Sequence, residues 1–156
     1  MERRWKIVAA LAIVACGVDQ LSKLWARSAL ADGPITLVAD LWAWQLHYNT
    51  GSAFSTFTGA RIALTIVAVL IVGVLIWMVH RERDMPSLQA VAYGLIVGGA
   101  VGNLIDRVAF GKVTDFVLWH YHEHTWPVFN VADACLVAGV GLMILFGFRR
   151  RAEATA

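Results

Sequence analysis

Residues 62–79 read IALTIVAVLIVGVLIWMV, an 18-residue run with no charged side chain and no proline. A helix of that length rises about 27 Å, close to the ~30 Å hydrocarbon core of a bilayer. Three further apolar runs cover residues 7–25, 88–105 and 128–148. Backbone polar groups in lipid must bond within their own segment, so each run is predicted to be a helix. The 156 residues, 59% hydrophobic and 15% charged, therefore predict a single-domain, all-α membrane protein with four transmembrane helices.

The basic residues predict how these helices are oriented. They lie before the first run, between the second and third, and after the fourth: Arg3, Arg4, Lys6, Arg81, Arg83, Arg149, Arg150 and Arg151. Because cytoplasmic loops carry the excess of Lys and Arg, we expect both termini in the cytoplasm. Residues 26–61 and 106–127 would then face outward. We expect membrane phospholipids around the helices and no nucleic acid among the partners.

The two outward-facing segments carry strand patterns. Residues 35–38 are typical of a short strand, residues 41–48 alternate in polarity, and residues 113–119 also look extended. The alternation in the second strand predicts one aromatic face, made by Trp42, Trp44, Leu46 and Tyr48. We therefore expect a small extracytoplasmic β-sheet at the membrane surface. From it the chain is predicted to re-enter the membrane through Phe54 and Phe57.

Polar side chains within the apolar runs share one depth. A charge there costs about 2.5–3.5 kcal/mol on insertion scales, so each is a functional candidate by default. They lie near the outward ends of the first, third and fourth runs: Asp19, Asn103, Asp106, Asn130 and Asp133. Asp115 would reach the same depth from the adjoining extended segment. The pattern therefore predicts one shallow site near the extracytoplasmic face.

Two pairs in this set also have a purely structural interpretation. Asp19 and Lys23, four residues apart, are either an ion pair on a helix face or residues that shape a site. Asn130 and Asp133 have the spacing of a capping box, with Asn at the N-cap and an acid at N3. Capping and catalysis are compatible here, because the helix dipole favours a carboxylate in the first turn.

A specific chemistry is open to Asp115 and Asp133 together. Two carboxyl groups about 3 Å apart cannot both ionise, so they share one proton. The anion can activate water while the acid protonates a carbonyl oxygen, which hydrolyses a peptide bond without a metal or any other cofactor. We therefore predict that these two aspartates are the catalytic pair.

Five segments, in order and spread over nearly the whole chain, resemble the lipoprotein signal peptidases, also called signal peptidase II. They are DQLSK at 19–23, NTGSAF at 49–54, GGAVGNLIDR at 98–107, VTDF at 113–116 and FNVAD at 129–133. The last three together are the most specific part of the match. Ser52 departs from the small residue expected there, and the HYHEH run at 120–124 falls outside the resemblance.

The resemblance implies an aspartic endopeptidase of the bacterial cytoplasmic (inner) membrane. Such an enzyme removes the signal peptide from a diacylglyceryl-modified prolipoprotein, on the amino side of the lipidated cysteine. It implies Asp115 and Asp133 as the dyad, with Asp19, Lys23 and Asp106 in support. The positions implied to contact substrate or the antibiotic globomycin are Asn49, Gly99, Asn103, Arg107 and Asn130. The outer sheet would form a cradle over the substrate, and the protein would be a monomer.

Other interpretations compete with this one. His120, His122 and His124 could bind zinc from one face of a strand, but a solvated loop is favoured and the HExxH spacing is absent. Carboxylates in membranes also mark ion paths, although the apolar inner halves of the runs argue against a transporter. A non-catalytic lipoprotein-binding scaffold would use the same pocket. A lipoprotein signal ending at Cys16 is disfavoured, because the apolar run continues to Trp25.

Overall fold

The computed structural model describes residues 2–51, 59–82 and 84–155. Its helices are α1 (Glu2–Ala29), α2 (Gly59–Arg81), α3 (Ser87–Phe110) and α4 (Val131–Thr155). Each contains a segment long and apolar enough to cross a membrane, which confirms the predicted multi-pass architecture. The predicted re-entry at Phe54 and Phe57, the departure at Ser52 and the basic residue Arg83 lie outside the described residues.

The fourth helix starts later than its apolar run, at the position that the predicted Asn130 cap requires. The apolar run begins at residue 128, but α4 begins three residues further on. Phe129 instead forms an antiparallel bridge with Val117, with N–H···O distances of 2.8 and 3.1 Å. An extended residue cannot also be helical, so Asn130 takes the N-cap position and Asp133 the third helical position. The bridge thereby fixes the first turn of α4 beside the sheet.

Four strands form one antiparallel sheet in the order β1-β2-β3-β4. They are β1 (Ile35–Val38), β2 (Trp42–Asn49), β3 (Val113–Tyr121) and β4 (His124–Thr125). The first three confirm the predicted extended segments. The first four residues of β3 are buried, and Phe116 packs with Ala26 and Leu30 at the end of α1. The start of β3 therefore lies against the helices and not in solvent.

A β-bulge in β2 changes the predicted aromatic face. Trp44 pairs with Val117 and His47 pairs with Asp115, so three steps along β2 match two along β3. Directly paired residues lie on the same face of a sheet. Because side chains alternate between faces, the extra residue moves every later side chain of β2 to the opposite face of the sheet. Trp44 and Tyr48 therefore lie on opposite faces, and the prediction that they share one is wrong.

The histidine-rich run, predicted to be a solvated loop, forms the end of a β-hairpin. β3 ends at Tyr121, His122 adopts a left-handed turn conformation (φ 51°), and β4 starts at His124. Because the turn separates the first histidine from the last, the three do not line one face of one strand. Residues 121–127 are exposed, as expected of a solvated segment.

α3 is the central helix of the bundle and the most buried of the four spans. It approaches its neighbours through glycines. A Cβ added to Gly98 would lie 2.7 Å from the Cβ of Ala15 in α1, and one added to Gly99 would lie 2.5 Å from the carbonyl oxygen of Ala132 in α4. Small residues permit this close approach in membranes, where van der Waals packing and hydrogen bonds drive helix association. Polar groups on three helices consequently come within hydrogen-bonding reach.

We expect Gly99→Ala to destabilise the protein by about 1–3 kcal/mol, because the backbone of α4 must move to admit the methyl group. Gly141→Ala is the matched control: it lies in α4 with nothing within 4 Å of the added Cβ. There, alanine should stabilise the helix by roughly 0.5–1 kcal/mol. Thermal unfolding in detergent, followed by intrinsic fluorescence, measures both. Equal melting temperatures for the two variants would contradict the close α3–α4 contact.

Candidate active site

Asp115 lies near the start of β3 and is almost fully buried, with 1% of its surface exposed. The Nδ2 group of Asn130 donates a hydrogen bond to its Oδ1 atom at 2.6 Å. The side chain of Asn49 also lies beside this carboxyl group and lowers its pKa. The bulge in β2 explains that contact, because Asn49 and its cross-strand partner Val113 lie on the same face as Asp115.

Asp133 lies in the first turn of α4 and is partly exposed. The backbone N–H of Asn130 donates to Asp133 Oδ2 at 3.2 Å, and the backbone N–H of Asp133 donates to Asn130 Oδ1 at 3.0 Å. These reciprocal bonds confirm the capping box expected from the spacing. Asn103 Nδ2 donates a further bond to Asp133 Oδ1 at 2.8 Å. Both oxygens of Asp133 therefore accept N–H bonds at the positive end of a helix.

Two asparagines connect the carboxyl groups of Asp115 and Asp133. Besides its bond to Asp115, Asn130 Nδ2 donates to Asn103 Oδ1 at 3.1 Å, and Asn103 in turn donates to Asp133. Since both asparagines are buried, their amide groups have no freedom to rotate without breaking a bond. The amides hold the two acids, which come from different elements, in one hydrogen-bonded cluster.

The two acids differ in their electrostatic surroundings. Burial, and then the negative charge of Asp133, raise the pKa of Asp115 from 3.8 to about 6, against the lowering effect of the bonds from Asn130 and Asn49. Asp115 can therefore carry a proton at mildly acidic pH, whereas Asp133 accepts N–H donors on both oxygens. The raised pKa of Asp115 makes it the better proton donor of the two carboxyl groups.

Lys23 lies beneath this cluster and is fully buried. Its Nζ atom is 2.8 Å from Asp19 Oδ2 and 3.7 Å from Asp106 Oδ2. It also donates to Asn103 Oδ1 at 2.8 Å. Asp19 and Lys23 therefore form an ion pair within α1. Lys23 also supports Asn103, the side chain that donates to Asp133.

Asp19 and Asp106 each hold the residue that precedes one of the two acids. The N–H of Ala132, just before Asp133, donates to Asp19 Oδ1 at 2.9 Å. The N–H of Thr114, just before Asp115, donates to Asp106 Oδ2 at 2.8 Å. Two buried carboxylates thus fix the backbone on which the acid pair is built. The Nζ atom of Lys23 lies within 4 Å of both carboxylates and offsets part of their negative charge.

Arg27 joins this network, and sequence reasoning missed it. Its Nη1 atom donates to Thr114 Oγ1 at 2.9 Å and lies 3.7 Å from Asp106 Oδ1. Its guanidinium also lies 4.7 Å from the centre of the Phe110 ring. The available signal was its spacing: Arg27 follows Lys23 by four residues, as Lys23 follows Asp19, so the three share one face of α1.

The remaining predicted site residues lie at different distances from the acids. Asn49 Oδ1 accepts a bond from the N–H of Gly51 at 2.8 Å, which fixes the end of β2. Arg107 is partly exposed and its Nη1 atom donates to the carbonyl oxygen of Asn103 at 3.3 Å. Gly99 is buried in the α3–α4 contact, one turn from Asn103, and faces the backbone of Ala132 just before Asp133. Its structural role is close helix packing.

Similar proteins identify the family. A family model described as signal peptidase (SPase) II matches residues 11–149. The lipoprotein signal peptidase of Xanthomonas campestris pv. campestris (strain 8004) is 40% identical over 148 residues, which are 92% of this chain and 87% of that protein. The lipoprotein signal peptidase of Symbiobacterium thermophilum is 40% identical over 136 residues, 86% of this chain and 90% of that protein.

Two solved structures agree with the architecture. A bacterial membrane enzyme solved by the in meso method at 1.9 Å resolution superposes with a TM-score of 0.82 and 27% identity, covering 88% of this chain and 90% of that one. A second, at 2.3 Å resolution, gives a TM-score of 0.81 and 26% identity, covering 94% of this chain and 90% of that one. The matched segments include every element that contributes to the acid pair. The chain belongs to the signal peptidase II family of membrane peptidases.

Proposed function

We propose that this chain removes the signal peptide from diacylglyceryl-modified bacterial prolipoproteins, cutting on the amino side of the lipidated cysteine, with Asp115 and Asp133 as its catalytic dyad. The observation that carries the proposal is the hydrogen-bonded cluster in which Asn103 and Asn130 join the two carboxyl groups. The names of the relatives supply the substrate class, since lipoprotein signal peptidases match over most of this chain.

The two aspartates take different roles in the proposed reaction. Asp115 is the proton donor, because burial and the negative charge of Asp133 raise the pKa of its carboxyl group to about 6. Asp133 is the base, because it is partly exposed and its oxygens accept N–H bonds. Asp133 takes a proton from water as the water oxygen attacks the scissile carbonyl carbon. Asp115 gives its proton to the carbonyl oxygen in the same step.

Collapse of the resulting diol returns both acids to their starting states. The C–N bond breaks, and Asp133 gives its proton to the departing amine nitrogen of the cysteine. Asp115 takes a proton from one hydroxyl group of the diol, which becomes the carbonyl of the new carboxyl group. Atoms and protons balance, and no covalent enzyme intermediate forms.

The proposed substrate matches the depth of the dyad in the bundle. Asp115 and Asp133 lie where α3 ends, β3 begins and α4 begins, which is one end of the membrane-spanning helices. A cysteine held by diacylglycerol would present its amide bond at the same boundary. With Arg3, Arg4 and Lys6 at the opposite end, the positive-inside rule orients this end outward, with both termini in the cytoplasm of a bacterial cell.

Five residues are proposed to bind the substrate or globomycin-type inhibitors: Asn49, Gly99, Asn103, Arg107 and Asn130. Asn103 and Asn130 bond directly to the acids of the dyad, Asn49 lies beside Asp115, and Arg107 lies one turn beyond Asn103 along α3. Gly99 would act by allowing α3 and α4 to approach. We further propose that the enzyme works as a monomer surrounded by phospholipid, because the dyad and its supports come from a single chain.

Cleavage of matched peptides tests the proposed function. One peptide carries a signal sequence and a diacylglyceryl cysteine, and the other is identical but not lipidated. We expect the purified protein in detergent to cut the first peptide at the bond before the cysteine, and to cut the second far more slowly. Mass spectrometry of the products locates the cut. Equal rates for both peptides would contradict the substrate class, and cleavage elsewhere would contradict the proposed bond.

The pH dependence of cleavage tests the role of Asp115. A group that must be protonated loses its function as pH rises through its pKa, here about 6. We therefore expect kcat/KM to fall about tenfold per pH unit above about pH 6, which forms the alkaline limb of the pH profile. Asn130→Ser should move the limb to higher pH, because it removes a bond that lowers the pKa of Asp115.

Serine is chosen at position 130 because it can still cap α4. A thermal unfolding measurement establishes that the cap is kept. An unchanged limb in a folded Asn130→Ser protein would show that another group controls the alkaline side of the profile.

A further inference from the structure

Arg4 lies at the opposite end of the bundle from the dyad and is 96% buried, since only 4% of its surface is exposed. Its guanidinium donates to the backbone carbonyl of Glu82, and to that of His80 at 3.2 Å. These bonds cap the carbonyl end of α2. The Nε–H group has no acceptor among the described residues. A buried charged donor left in this state is unfavourable, so it points to an acceptor other than the residues that the structure describes.

A cleft of about 390 Å³ adjoins Arg4. Its walls come from the start of α1 and the turn between α2 and α3, and include Arg3, Asp84 and Ser87. The volume is at the lower end of the range of ligand pockets. The first turn of α3 opens on this cleft, and its N-cap Pro86 provides no side-chain cap. The leading N–H groups of α3 therefore add donors to those of Arg4.

The charges in the cleft are of both signs. Arg3, Arg4 and the start of α3 favour a phosphate group, whereas the exposed carboxylate of Asp84 opposes a simple anion. A ligand with a phosphate and a nearby ammonium satisfies both. The position suits a lipid: α3 has 24 residues and rises about 36 Å from this cleft to the dyad end. That distance separates the two headgroup regions of a bilayer.

We propose that this cleft binds the phosphoethanolamine headgroup of a phospholipid, with the phosphate at Arg4 and the start of α3, and the ammonium at Asp84. In the orientation proposed above, the lipid belongs to the cytoplasmic leaflet. A quaternary choline headgroup cannot donate hydrogen bonds to Asp84, and a glycerol headgroup leaves the carboxylate facing a net anion. The cleft would therefore select ethanolamine lipids and anchor the end of the bundle at which α1 begins.

Native mass spectrometry of the full-length protein tests this selection. The protein is exchanged from detergent into an equimolar mixture of ethanolamine, choline and glycerol phospholipids with identical acyl chains. We expect the ethanolamine lipid to be retained roughly five- to tenfold over each of the others. Asp84→Asn should remove that preference, and Asp32→Asn, an exposed acid at the other end of the chain's first span, should keep it.

Two further arms make the result decisive. Arg4→Lys keeps the positive charge but removes the Nε–H group, so retention of all three lipids should fall; Asp84→Asn decides the question if that protein does not fold. Excess inorganic phosphate should not displace the ethanolamine lipid. The proposal is overturned by equal retention of the three lipids, by equal behaviour of the Asp84 and Asp32 variants, or by displacement with phosphate. Peptide cleavage in detergent is measured separately, so failure here leaves the proposed activity intact.

Discussion

Asp115→Asn is expected to lower kcat for cleavage of a diacylglyceryl peptide by roughly 10³-fold or more, while making the folded protein more stable at alkaline pH. The loss of activity follows because asparagine cannot donate a proton to the carbonyl oxygen. The gain in stability follows from burial, because the charge of Asp115 is held in the interior beside Asp133. The same substitution therefore separates the catalytic role of this carboxyl group from its effect on folding.

The pH dependence of that stability has a definite sign. The folded protein raises the pKa of Asp115 from 3.8 to about 6, so it binds this proton more tightly than the unfolded chain. The folded state therefore loses stability as pH rises from 3.8 to about 6, by at most about 3 kcal/mol, and the loss is complete above that range. Asp115→Asn avoids this loss. Its advantage in melting temperature should be present at pH 8 and absent below pH 3.8.

Asp133→Asn is the informative companion to this variant. It should also abolish cleavage, because the base is lost. It should not stabilise the protein, since Asp133 is partly exposed and completes the cap of α4. We expect a loss of roughly 0.5–1 kcal/mol. Asp32→Asn, a substitution of an exposed acid, controls for the change in net charge. Full activity in a folded Asp115 or Asp133 variant would refute the proposed dyad.

Lys23→Met is expected to have the largest effect on folding. Lys23 is the buried cation 2.8 Å from Asp19 and 3.7 Å from Asp106. Removing one partner of a buried ion pair leaves an uncompensated charge, at a cost of about 3–5 kcal/mol. Methionine has a similar volume, so packing is largely kept. Cleavage by the residual folded protein should fall roughly 10²-fold, because Asn103 loses a bond that positions it against Asp133.

A double substitution identifies the cause of this loss. Asp19→Asn combined with Lys23→Met removes the adjacent buried anion, while Asp106 keeps Arg27 at 3.7 Å. Part of the lost stability should return, and a double-mutant cycle gives the coupling. Lys112→Met is the control, because the Lys112 Nζ atom lies 3.3 Å from the centre of the Tyr48 ring and belongs to none of the buried ion pairs among the described residues. Equal melting temperatures for Lys23→Met and Lys112→Met would contradict the importance of the buried network.

The sequence by itself determined the four spans, the extended segments and the cap of α4. Each of these depends on residues close together in the chain. A helix that crosses lipid needs an uninterrupted apolar run, and the Asn130–Asp133 cap needs only a spacing of three. Asp115 and Asp133 could likewise be selected as candidates, because acids near apolar runs are costly and therefore conspicuous.

Only the tertiary structure decided which face each strand residue takes and which backbone each buried acid holds. The bulge in β2 brings Asn49 to the side of Asp115, and its presence depends on pairing with a strand more than sixty residues away. The bonds from Ala132 to Asp19 and from Thr114 to Asp106 likewise join separate elements. Such contacts are set by the close approach of three helices and a sheet, where buried polar groups must find partners. Local patterns carry no record of that choice.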